Sequence, residues 1–94
     1  MNKMQLEKLL IEKWGYPDYL ASKTAQDILQ MDSDLYAAFL DWNQSGLLPE
    51  YNVGSYTISG LITIYHLEPV AAFLQLNWLK KDFSKAEYAL LHRK

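Results

Sequence analysis

Thirteen consecutive positions, Pro69 through Lys81, form the longest strongly apolar stretch of the chain and limit what it can fold into. Proline suits a first helical turn, where its missing N–H would have no partner. At 100° per residue, Ala72, Phe73, Leu76, Leu79 and Phe83 share one face, and Val70, Ala71, Leu74 and Trp78 a second. Only Gln75, Asn77 and the closing lysines interrupt them. A helix apolar on two faces must be covered on both, by its own chain or by a partner. The remaining segments are therefore expected to pack around residues 69–82.

Helical periodicity runs through most of those segments. In 2–14, Leu6, Leu9, Leu10, Lys13 and Trp14 follow the i, i+3, i+4, i+7, i+8 rule, with Asn2 and Gln5 placed as a capping box and Gly15 as the stop. Pro17 or Asp18 opens a second helix over 18–30. Its narrow stripe of Leu20, Ala21, Thr24, Ala25, Ile28 and Leu29 admits a close neighbour. Asp32 and Ser33 are N-cap types for a third helix over 33–44, which Ser45-Gly46 ends. Residues 47–56 follow no period. Their Pro49, Asn52 and Gly54 are turn residues, but Leu47, Leu48, Tyr51 and Val53 predict a loop that packs back onto the domain.

Residues 57–66 carry two signals. Thr, Ile and Tyr favour a strand, whereas Ile58, Leu61, Ile62 and Tyr65 fit a helix capped by Thr57. The helix is the expectation, and a small hairpin within 51–65 is the alternative. Ser84-Lys85-Ala86-Glu87 has the form of a capping box and predicts a short last helix over 85–92. The whole reads as an all-α fold in one domain, 1–94. It has about five helices and a terminal helical turn. A three-helix half, 1–46, is joined by the 47–56 loop to a second helical half, 57–94.

Ninety-four residues without a cysteine exclude a disulfide scaffold and thiolate chemistry. His66 and His92 are the only histidines and lie far apart, so no zinc spacing exists. His66 is expected to cap the end of its helix and His92 to be solvated. Ser45-Gly46 and Ser59-Gly60 lack a nucleophile-elbow pattern, Asp32 and Asp34 read as caps, and the four glycines never cluster into a phosphate loop. The expectation is a non-enzymatic protein with no catalytic, cofactor or metal residues and no small-molecule substrate. Met1 to Lys8 is too polar for a signal peptide, and no run reaches the ~18 apolar residues of a membrane span. A soluble cytoplasmic protein is expected.

Two binding readings follow. Three Trp, seven Tyr and three Phe are many for so short a chain, and Trp and Tyr are enriched at interface hot spots. This points to a protein partner or self-association through Tyr51, Tyr56, Val70, Leu74 and Trp78. The other reading takes 57–81 as a helix-turn-helix-like nucleic-acid binder, with Lys80, Lys81 and Lys85 on phosphates. Against it, the turn carries His66 where glycine is usual, and the second helix offers few polar side chains for base edges. Charge is also uneven: residues 24–79 hold six acids and no base, whereas 80–94 are net basic.

Tyr56-Thr57-Ile58, Leu61, Tyr65, Leu67-Glu68-Pro69, Ala72-Phe73-Leu74 and Asn77-Trp78-Leu79 together resemble a segment of small uncharacterised all-α proteins. These are encoded on mobile elements and accessory regions of Gram-positive bacteria. The resemblance covers about a third of the chain. It implies a cytoplasmic bacterial accessory protein and carries no defined activity.

Overall fold

The computed structural model describes residues 1–93; Lys94, counted above in the basic tail, lies outside the described residues. The fold is all-α, with a two-stranded hairpin as its only sheet among the described residues. The chain packs as two compact units that divide between Met31 and Asp32.

The first unit is a pair of packed helices, α1 (Lys3–Trp14) and α2 (Asp18–Leu29). The expected capping box forms: Asn2 Oδ1 accepts the Gln5 N–H at 2.9 Å, and Gln5 Oε1 accepts the Asn2 N–H at 2.9 Å. Gly15 closes α1 with φ 72°, which lets the Tyr16 N–H reach the Leu10 carbonyl at 3.0 Å. Leu6 and Leu10 of α1 are buried, as are Ala21, Thr24, Ala25 and Ile28 of α2. The small residues of that stripe allow close helix packing.

The second unit is built on α5 (Pro69–Lys81), with α3 (Ser33–Ser45), α4 (Ile58–Thr63), α6 (Phe83–Leu91) and the strands β1 (Asn52–Val53) and β2 (Tyr56–Thr57). Phe73 sits at its centre. Its ring meets Phe39 edge-on at 5.3 Å and stacks with Trp42 at 5.1 Å, which joins α5 to α3. The first face of α5 (Ala72, Phe73, Leu76 and Leu79) is fully buried. The second grades outward, from buried Val70 through half-exposed Ala71 and Leu74 to Trp78 at 38% exposure. Glu68 caps the helix, its carboxylate accepting the N–H groups of Val70 and Ala71 ahead of Pro69.

Both signals in 51–66 are realised, in successive pieces. Asn52 pairs with Thr57 and Val53 with Tyr56, and Gly54 takes φ 60° in the two-residue turn between them. Thr57 Oγ1 then accepts the Gly60 N–H at 2.9 Å and starts α4. This helix stops at Thr63, three residues short of the expected end. Its closure repeats that of α1. His66 stands in the left-handed region at φ 60°, and the Leu67 N–H reaches the Leu61 carbonyl at 3.1 Å. His66 thus takes the backbone role that Gly15 has at the end of α1, rather than that of a side-chain cap.

The start of α6 also differs from expectation. Asp82, not Ser84, is its N-cap, with Oδ1 3.5 Å from the Lys85 nitrogen. The Asp82 N–H still closes α5 on the Trp78 carbonyl, so one residue ends one helix and begins the next. Glu87 serves a tertiary contact in place of the expected capping box.

Candidate interaction surface

Residues 46–57 cross the second unit as a strap held at two points. At the first, Lys80 Nζ donates to Tyr51 Oη at 2.7 Å and to Asp32 Oδ2 at 2.8 Å, and lies 5.5 Å from the Tyr51 ring centroid. Asp32 is itself fixed. Its N–H donates to Asn77 Oδ1 at 2.9 Å, and its carboxylate caps α3 through the Asp34 N–H. The hydrogen bond from Lys80 holds the Asp32 carboxyl below its ordinary range; the bonds to Asp32 and then Tyr51 push the Lys80 ammonium well above its own.

At the second point, the Tyr56 hydroxyl donates to Glu87 Oε2 at 2.6 Å. Its ring packs against Tyr65 at 6.0 Å and Phe83 at 5.9 Å. The bond to Glu87, and then burial, push the Tyr56 hydroxyl far above the ordinary tyrosine range. Phe83 also lies 3.2 Å from where a Cβ on Gly54 would stand, so the hairpin turn closes directly over that ring.

These contacts sort the expected surface residues. Val70 is completely buried and Tyr56 is 9% exposed, so both belong to the core and neither offers a partner surface. The Tyr65 and Phe83 rings cover Tyr56, and Val70 lies at the covered start of the second face of α5. Tyr51 is half-buried on Lys80. Leu74 and Trp78, four residues apart on α5, do share an accessible face. The loop leucines do not pack back as expected: Leu47 is 74% exposed and Leu48 40%. Of the strap's aromatic and aliphatic side chains, Tyr51, Val53 and Tyr56 turn inward, and Gly46 ends α3 just before the exposed leucines with φ 77°. The sequence reading places both leucines inward, and their position directly after the Gly46 helix stop is the one signal for their exposure.

Of the three lysines proposed for phosphate, Lys80 is engaged by Asp32 and Tyr51, while Lys81 and Lys85 are exposed. The side chains that a reading helix would present from the start of α5, Val70 and Phe73, are buried. Asn77 is committed to the Asp32 backbone, and Gln75 Nε2 donates to the Ala86 carbonyl at 3.0 Å. His92, just after the end of α6, stacks on exposed Tyr88 at 4.0 Å. No group of three or more His, Cys, Asp or Glu side chains that could hold a metal occurs among the described residues.

Two open grooves flank the hairpin. One, of about 610 Å³, is lined by Leu48, Pro49, Glu50, Asn52, Gly54, Thr57 and Ser59. The smaller, of about 160 Å³, runs over Tyr56, Leu61, Ile64 and Tyr65. No helix of the described residues is long and apolar enough to cross a membrane. Comparison with known protein families, curated proteins and solved structures finds no match.

Proposed function

We propose that this chain is a non-enzymatic interaction module of the accessory-protein kind, which binds another protein or itself through apolar side chains of its second unit. The observation that carries the reading is the exposure of Leu47 and Leu48 on a strap otherwise tied down by Tyr51 and Tyr56. A fixed strap that presents aliphatic side chains loses little conformational entropy when they become covered. Leu74 and Trp78 supply a second accessible apolar pair, and tryptophan is a frequent hot-spot residue. The nucleic-acid reading is weaker in support, since Lys80 is neutralised in place by Asp32.

The test combines sedimentation of the purified chain over a range of concentrations with affinity capture from bacterial lysate. Leu47→Asp and Trp78→Asp variants run beside the parent. The expected result is a self-complex or captured partner lost in at least one variant whose circular dichroism is unchanged. A random DNA duplex is titrated in parallel. Binding that falls steeply between ~50 mM and ~200 mM salt would replace the proposal with the nucleic-acid reading.

A further inference from the structure

The larger groove, between the strap and the first turn of α4, is lined by apolar Leu48 and Pro49 and by polar Glu50, Asn52, Thr57 and Ser59. Resting on the interaction reading above, we infer that this groove receives an extended peptide segment that sets a basic side chain beside an aliphatic one.

The argument for a basic residue is charge complementarity. From Asp32 to Leu79 the second unit has acids and no base. Asp32 is paired with Lys80, and Glu68 caps α5. Glu50, in the wall of the groove, has no ion-pair partner among the described residues. Asn52 turns its amide donor to the Gly54 carbonyl, which leaves its side-chain oxygen as an acceptor. A segment laid over this wall must supply donors, because a covered carboxylate without a cation would lose its hydration uncompensated. Lysine or arginine meets that demand. Leu48 and Pro49, in the same groove, favour an aliphatic neighbour in the occupant. The groove is partly open to solvent rather than enclosed, which an extended chain tolerates better than a buried small ligand does.

The experiment is fluorescence anisotropy of a short labelled peptide alternating leucine and lysine, titrated with the full chain. A leucine–glutamate counterpart is the control, and amide shifts of the ¹⁵N-labelled protein locate the site. The expected result is binding of the lysine peptide only, with shifts confined to residues 48–59. Binding should be roughly threefold to fivefold weaker for Glu50→Gln and weaker again for Glu50→Lys. Equal binding of both peptides, or an affinity unchanged in Glu50→Lys, overturns the inference. Shifts at Leu74 and Trp78 instead also overturn it, while leaving the interaction reading intact. Absence of binding up to millimolar protein defeats the groove alone. The sedimentation and capture experiments on Leu47→Asp and Trp78→Asp judge the broader reading independently.

Discussion

Lys80 Nζ stands 2.8 Å from Asp32 Oδ2, which ties the last turn of α5 to the cap of α3 across 48 positions of sequence. Because the same ammonium also donates to Tyr51 Oη, the two residues hold the strap as well. Their protonation should therefore be visible in the stability of the second unit. The folded pKa of Asp32 lies below its ordinary 3.8, so its contribution is present above that value and is lost as pH falls through the folded pKa. That of Lys80 lies above its ordinary 10.5, so its contribution is present below that value and is lost as pH rises further. Urea midpoints measured from pH 3 to pH 11 should be highest between these limits. Lys80→Met should flatten the acid limb, and an unchanged acid limb would show that the pair does not couple to folding.

The Tyr56–Glu87 bond offers a spectroscopic prediction. A tyrosine whose neutral form is held by a carboxylate and by burial ionises late. Alkaline difference absorbance should show one of the seven tyrosines lagging until the protein unfolds. In Tyr56→Phe that lagging component should vanish, with a loss of about 1 kcal/mol in stability at neutral pH. The stabilisation belongs to the protonated hydroxyl, so the gap between parent and variant should close as pH rises through the folded pKa.

His66 occupies a left-handed backbone position that costs a non-glycine residue roughly 1 kcal/mol. His66→Gly should relieve the strain and raise the melting temperature, offset in part by the greater freedom of glycine in the unfolded chain. His66→Val should lower it, because a branched Cβ tolerates φ 60° poorly. Thermal denaturation of the three proteins would decide this. A His66→Gly variant less stable than the parent would mean that glycine's freedom in the unfolded chain, or a contact of the imidazole, outweighs the strain.

Gly54 is constrained twice, by φ 60° in the hairpin turn and by the Phe83 ring 3.2 Å from a would-be Cβ. Gly54→Ala should cost about 1–2 kcal/mol and loosen the strap. Amide exchange at Val53 and Tyr56, the pair that closes the turn, should accelerate more than exchange in α3. Uniform acceleration would show that the hairpin does not open separately.

What the sequence determined is local. Asn2, Gln5 and Gly15 bound α1, and Pro69 opens α5, because these effects act within a turn of the residue concerned. The helical period of 69–81 also identified the helix at the centre of the second unit. Tertiary structure decided where competing local options lay. Residues 52–66 could pair or coil, and they do both in succession because the Gly54 turn closes over Phe83 while Thr57 caps the next helix. Glu87 suits a capping box, yet the Tyr56 hydroxyl, 31 positions away, takes its carboxylate. Val70 and Trp78 belong to the same apolar face in sequence, and only the packing around α5 buries one and exposes the other. Periodicity reports which residues share a face; it does not encode how far along that face the neighbouring elements extend.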